Sequence, residues 1–442
     1  LEEEFMLKRT LLASAAALAL LAATAPAQAV SIMYAEWLAS LVEPGIANYE
    51  AATGEKVEAI KLPGAAYDQR TSLDLAAGTA ADVIQLDSFM VSEFASSGYL
   101  EPLTESAKGW DQYQYYMPGL LDVASYDGAV YALPTDTDVR MLWYDKSNFE
   151  KAGIALPWEP KSWTDVLDAA QKLKDAGVKY PFQLPAGIKQ GEGATMQGFY
   201  MALLGADVPE GDRNRLLNRE TGQWIGDSPA IRKTLELYRK VYHDIGQPAD
   251  LNYAADTGAA VREALANDQL GILASGSWED ACLWDCNGVN LPSREERDAM
   301  VGWTPWPGSG DPGTKATTNI SGGWTIAVNS KAADKAKAFQ LLTTIFDVGN
   351  FKDWTIKNHR MGVRTDISES PEYMADAYLA KATALAADTT GRDTIPGYQT
   401  VSALVQQMTT EILDGASVED TVKNYHDALV DEFGEDKVIT YE

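Results

Sequence analysis

Cysteine, histidine and positive charge are all scarce in this chain of 442 residues, which has two Cys, three His, and 36 Lys and Arg against 64 Asp and Glu. Each shortage excludes something. A formal net charge of -28 repels phosphate backbones and anionic headgroups, so nucleic-acid and peripheral membrane roles are not expected. His243, His359 and His426 show no metal-ligand spacing to one another or to the cysteines, and no metal or cofactor is expected. Beyond residue 29 no segment is apolar enough to cross a bilayer. Catalytic signatures are missing too, since there is no nucleophile elbow and no Cys/His pair. Asp136-Thr137-Asp138 starts like a calcium loop but lacks the glycine and the closing glutamate. The glycines from Gly187 to Gly193 lack the Gly-Lys-Ser/Thr ending of a phosphate loop.

Aromatic residues are plentiful, with 12 Trp and 20 Tyr, which rules out a disordered acidic chain. Both side chains combine a flat apolar face with a polar tip, a shape suited to a ligand that is half apolar and half wet. Met6 opens a secretory leader: Lys8 and Arg9, then the apolar run Leu11 to Ala22, then Ala27-Gln28-Ala29 as the cleavage signal. Residues 1–5 carry three glutamates and read as an added or misassigned start, 6–29 as the signal peptide, and Val30 as the mature terminus. No cysteine lies near that point, so no lipid anchor is expected. In an oxidising compartment Cys282 and Cys286 are expected to form a local disulfide.

The first hundred mature residues alternate short apolar runs with helix-spaced segments. Strands are predicted at Val30 to Ala35, Val57 to Leu62 and Val83 to Leu86, separated by helices that stop at Gly54 and Gly78. That pattern makes βαβ units and a parallel sheet, with ligands bound beyond the carboxyl ends of the strands. Glu36, Trp37 and Asp87 each follow a strand and fall at that edge. Asp127-Gly128 marks a turn, and Val130 to Leu133 and Met141 to Tyr144 read as one interrupted extended passage. Ser162-Trp163-Thr164-Asp165 is a capping signal, and Pro307 to Gly313 reads as a hinge or linker by composition. The length calls for two α/β lobes joined by several crossings.

Two constellations carry chemistry. Asp136, Asp138 and Arg140 alternate, so on an extended segment they share one face and form a polar strip able to bind hydroxyls. Trp278 follows Ala274-Ser275-Gly276-Ser277, and Trp324 follows Ser321-Gly322-Gly323. Small residues before an aromatic ring free it at a strand end, where an indole stacks on the C–H face of a sugar.

Ordered segments then carry a resemblance: Leu75 to Asp87, Gly98-Tyr99-Leu100-Glu101-Pro102-Leu103, Tyr131-Ala132-Leu133-Pro134, Tyr144-Asp145-Lys146, Lys161-Ser162-Trp163, Gly276-Ser277-Trp278 and Gly322-Gly323-Trp324. In order and spacing the chain resembles the extracellular solute-binding proteins of ABC sugar importers, the group of maltose/maltodextrin- and trehalose-binding proteins. The resemblance implies a type II periplasmic-binding-protein fold, α/β, two lobes closing on a ligand like a jaw. Lobe 1 is expected over 30–138 and about 319–346, lobe 2 over 139–318 and about 347–442. It implies Asp87, Asp138, Trp278, Gly323, Trp324 and Arg364 as ligand-binding positions, with Glu36, Trp37 and Tyr67 in loops that touch ligand; Arg140 joins them from the strip. It also implies a non-catalytic periplasmic monomer that binds a neutral di- or oligosaccharide and meets membrane permease subunits. A non-sugar or anionic ligand such as a glycerophosphodiester, gripped by Arg140 and Arg364, and a secreted enzyme using Asp87 and Asp138 are the alternatives.

Overall fold

Val83–Asp87 is buried at every residue and Val30–Ala35 at five of six, so both strands need cover on two faces, as parallel strands do. The computed structural model, which describes residues 29–64, 67–286, 290–386, 389–393 and 395–442, supplies that cover with helices. Except for Ala29, the expected leader and the residues before it lie outside the described residues. The first sheet runs in the order Val57–Leu62, Val30–Ala35, Val83–Asp87, Trp324–Val328, Ala132–Pro134. Its first three strands are parallel, and Trp324–Val328 returns antiparallel with Trp324 opposite Asp87. The helix Ala39–Thr53 ends at Gly54, whose φ of 73° is left-handed backbone that glycine adopts without strain.

The second sheet has the order Thr317–Thr318, Val301–Pro307, Arg140–Asp145, Leu270–Gly276, Tyr180–Gln183. The helix Trp163–Asp175 packs on this sheet, capped by the Ser162 hydroxyl accepting from the Asp165 amide. The reciprocal arm of the capping signal shifts by one residue, since the Asp165 carboxylate accepts from the Lys161 amide at 2.7 Å. Gln197–Ala206 is buried along all ten residues beneath the helix Pro229–Arg239. The helices Tyr398–Leu413 and Val418–Phe433 complete that layer.

The two sheets meet where the chain crosses between them. The passage from 130 to 144 is not one strand: Ala132–Pro134 belongs to the first sheet and Arg140–Asp145 to the second. Residues 135–139 cross in one direction and 319–323 in the other. They lie side by side, with the Thr135 amide donating to the Trp324 carbonyl at 2.8 Å and the Arg140 amide to Asn319 Oδ1 at 3.0 Å. The glycine-rich loop after Pro307 is therefore not the hinge. It connects two strands paired in the second sheet, and the Ser309 amide anchors it to the Gly205 carbonyl at 2.9 Å. The helix Val348–Lys357 also departs from the expected division, because it packs on Ala39–Thr53 in the first lobe. The chain returns to the second lobe with Tyr378, whose hydroxyl donates to the Ser277 carbonyl and whose ring lies 5.9 Å from that of Trp143.

Candidate functional site

The crossings floor a cavity of about 570 Å3 between the lobes. Of the residues singled out from the sequence, Glu36, Trp37, Asp87, Asp138, Arg140, Trp278, Gly323 and Trp324 line it, as do Cys282 and Cys286, which are joined by a disulfide. Among the described residues its wall carries eight carboxylates against four cations. The excess disfavours an anion and favours a ligand rich in hydrogen-bond donors.

The polar strip forms where alternation placed it, with Asp136, Asp138 and Arg140 all in the wall. Asp138 accepts from the Gly322 amide at 3.2 Å and stands 3.6 Å from Arg140 Nε. Burial raises the Asp138 pKa against the pull of Arg140, and burial lowers that of Arg140 to about 10. Arg140 also donates to Gln197 Oε1, and its guanidinium carbon lies 4.2 Å from the centre of the Trp278 ring. Asp136 accepts from the Trp324 amide at 3.2 Å and from the Thr135 hydroxyl at 2.9 Å, with Arg360 3.7 Å away. Burial nonetheless pushes its pKa up to about 6. Gly323 makes the strip possible. Its φ is +120°, and a Cβ there would fall 2.2 Å from the Asp136 carbonyl oxygen.

Trp278 does not stand free at its strand end. The ring folds back over Gly276, where a Cβ would approach it to 2.0 Å, and its Nε1 donates to Glu279 at 2.9 Å. Glu279 is fixed in turn by two nitrogens of Arg262, each at 3.1 Å, and by the Ser275 hydroxyl at 2.9 Å. Trp37 and Trp324 meet edge to face with centres 4.9 Å apart, presenting a second aromatic corner. Tyr67 lies behind that corner rather than in the cavity wall. It is 1% exposed, and its hydroxyl donates to the carbonyls of Met33 and Gln85, both at 2.9 Å.

Arg364 does not reach the cavity. It is fully buried in the first lobe, where it donates to Asp366 at 3.0 Å, the Phe346 carbonyl at 2.9 Å and Gln112 at 2.9 Å. The pairing of Arg140 with Arg364 around an anion is thus not assembled. A different late arginine approaches the site. Arg392 donates to Asp87 Oδ1 at 2.8 Å and Ser88 at 3.1 Å from the first lobe, and to Glu192 at 2.7 Å from the second. Glu192 also accepts from the hydroxyls of Tyr398, at 2.7 Å, and Ser402. The two carboxylates and the burial of Arg392 compete, and the carboxylates win, raising its pKa. Arg392, Glu192, Arg262, Glu279, Arg360 and Asp68 escaped the sequence reading. Asp136, by contrast, was legible from its alternation with Asp138, whereas these six reach the site through tertiary packing.

The model of the bacterial extracellular solute-binding protein family matches residues 34–349. A Brucella abortus protein named as a binding protein, without a stated ligand, is 25% identical over 403 residues, covering 85% of this chain and 89% of its own. A mannitol-binding protein of Pseudomonas aeruginosa is 24% identical over 297 residues, 62% of this chain and 59% of its own. Among solved structures, an ABC transporter solute-binding protein of Thermotoga lettingae, bound with alpha-D-tagatose, superposes with a TM-score of 0.78. It is 24% identical and covers 91% of this chain and 100% of its own. Two sheets flanked by helices, crossings that floor a cleft, and a family match over more than half of the length agree: the chain belongs to the bacterial extracellular solute-binding proteins.

Proposed function

We propose that the cleft captures a neutral carbohydrate and that the chain delivers it to the permease subunits of an ABC importer. The observation that carries the reading is the make-up of the cavity wall, which combines excess carboxylates with the indoles of Trp37, Trp278 and Trp324. Carboxylates accept from sugar hydroxyls, and indoles cover the C–H faces. A cavity of about 570 Å3 falls in the range of small-molecule sites and has room for one to a few sugar units. The sugars and polyols held by relatives support the class of ligand. The ligand-contacting residues in this reading are Glu36, Trp37, Asp87, Asp138, Arg140, Trp278, Gly323 and Trp324, with Tyr67 bracing Trp324 from behind.

The reading includes a periplasmic monomer, released from its leader after Ala29 without a lipid anchor, that binds and does not turn over its ligand. No helix among the described residues is long and apolar enough to cross a membrane. Calorimetry against D-mannitol, D-tagatose, maltose, trehalose and longer oligosaccharides, with glycerol 3-phosphate as the anionic control, tests it. Micromolar binding of a neutral sugar or polyol is the expected result. A blank across that panel, or tight binding of the phosphate alone, overturns it, and release of reducing ends from a bound glycoside overturns the non-catalytic part.

A further inference from the structure

Among the described residues, the cavity wall holds a buried carboxyl oxygen with no hydrogen-bond partner. Asp68, the second residue of the helix Tyr67–Ala77, lines the cavity, and its Oδ1 is buried with no hydrogen-bond partner among the described residues. Leaving a buried oxygen unpaired is costly, and leaving a buried anion unpaired more so, which favours the protonated carboxyl.

The charged groups facing Asp68 come from three elements. Asp87 stands at the end of the strand Val83–Asp87, Glu192 comes from the opposite lobe, and Arg392 lies between them. The one cation is already engaged by both of the other carboxylates, at 2.8 Å and 2.7 Å. An ionised Asp68 would be a third negative charge around a single arginine. Burial, then Asp87 and Glu192, push its pKa up to about 7 against the pull of Arg392. At that value the group is about half protonated at pH 7 and mostly protonated at pH 6.

A wall carboxylate that is ionised can only accept from a ligand, and a carbohydrate also has ring, glycosidic and hydroxyl oxygens that need donors. We propose that Asp68 is a ligand-contacting residue that works as a neutral acid, its O–H donating into the cavity to an oxygen of the bound carbohydrate. The proposal rests on the carbohydrate reading and adds a polarity to it, because the ligand must present an acceptor at Asp68 and donors at Asp87 and Asp138. The proton is held on ligand binding and not transferred, so no bond to the ligand forms or breaks.

The sign of the pH effect follows. Where the bound form needs the proton, affinity is full below the free pKa and falls as pH rises through it. Calorimetry with each of D-mannitol, D-tagatose, maltose and trehalose, on the wild type and Asp68→Asn, reads this out. From about pH 6 to about pH 8.5 the wild-type affinity should fall by a factor of about 30. The asparagine keeps a donor at that place, so Asp68→Asn should retain most of the low-pH affinity and lose the pH dependence. Equal wild-type affinity at both pH values, or loss of binding by Asp68→Asn at both with unchanged unfolding, overturns the proposal, the latter by making Asp68 an acceptor. Carbon-13 NMR of the unliganded protein labelled at aspartate carboxyls reads the proton without any sugar. One resonance absent from Asp68→Asn should titrate near neutrality, and titration of that resonance in the ordinary carboxylate range overturns the proposal even where a sugar binds. A blank for every sugar overturns the carbohydrate reading and the donor role together, whereas a bound sugar with flat pH dependence overturns the donor role alone.

Discussion

Arg364 and Arg392 are equally hidden, with side chains 0% and 1% exposed, and they hold opposite places in the molecule. Among the described residues every partner of Arg364 belongs to the first lobe: Asp366, Gln112, the Phe346 carbonyl, and the rings of Trp110, Tyr115, Tyr116 and Phe351 at 5.5 to 5.9 Å. The partners of Arg392 come from both lobes, and two of them, Asp87 and Glu192, also line the cavity. Burial alone therefore does not mark a functional charge. What distinguishes the two is whether the satisfied partners move together or apart when the lobes move. A caged arginine stabilises one lobe, whereas a bridging arginine couples the cavity to the separation of the lobes.

The comparison can be broken most directly at the cage. Arg364→Met removes a charge whose carboxylate and carbonyl partners stay behind, so unfolding in urea should show a loss of about 3–5 kcal/mol. Binding by the folded fraction should be unchanged, and a loss of affinity with intact stability would put Arg364 in the site. The bridge should answer the other way. Arg392→Gln leaves Asp87 and Glu192 facing each other across the cleft, and affinity should weaken by about 3 kcal/mol, mostly through faster release. Scattering from the unliganded variant should give a larger radius of gyration than the wild type; an unchanged radius and affinity would make Arg392 a second cage. Trp278→Ala sharpens the contrast within the wall. It should cost about 2 kcal/mol of binding, the scale of an aromatic anchor. Its unfolding should change less than the ~3–5 kcal/mol lost when a core Trp is truncated.

A charge cluster outside the polar strip provides the smallest effect at any one pH. Asp280 meets His359 at 2.8 Å, Arg294 at 2.6 Å and Arg297 at 2.7 Å. Burial works against its charged form, but hydrogen bonds from His359 and Arg294 prevail and lower its pKa from 3.8 to about 2. A depressed carboxylate contributes stability that is complete above its unfolded pKa and lost as pH falls. Roughly 2 kcal/mol should therefore disappear between about pH 4 and about pH 2, progressively. Thermal unfolding of Asp280→Asn across that range should be flatter than the wild type; parallel curves would remove Asp280 from the acid response.

Local sequence determined the parts that need only neighbours. Apolar runs bounded by Gly54 and Gly78 marked the strands and helices of the first lobe, because burial pattern and left-handed backbone are properties of a few consecutive residues. The strip Asp136, Asp138 and Arg140 was legible as period-two alternation, whereas Gly276, read as freeing the Trp278 ring, is where that ring folds back. The loop after Pro307 misled, since glycine and proline composition reports a turn and does not say whether the strands it joins lie in one sheet or two. Tertiary structure alone decided which arginine approaches the cleft. Arg364 stood in the motif the resemblance implied, yet folding set its segment against Phe346 and Gln112. Arg392, some two hundred residues from Glu192 and three hundred from Asp87, bonds to both in the folded chain. Asp68 owes its raised pKa first to burial and then to Asp87 and Glu192, against the pull of Arg392. Desolvation and Coulomb coupling act through space over a few ångströms, and no pattern of adjacent residues records them.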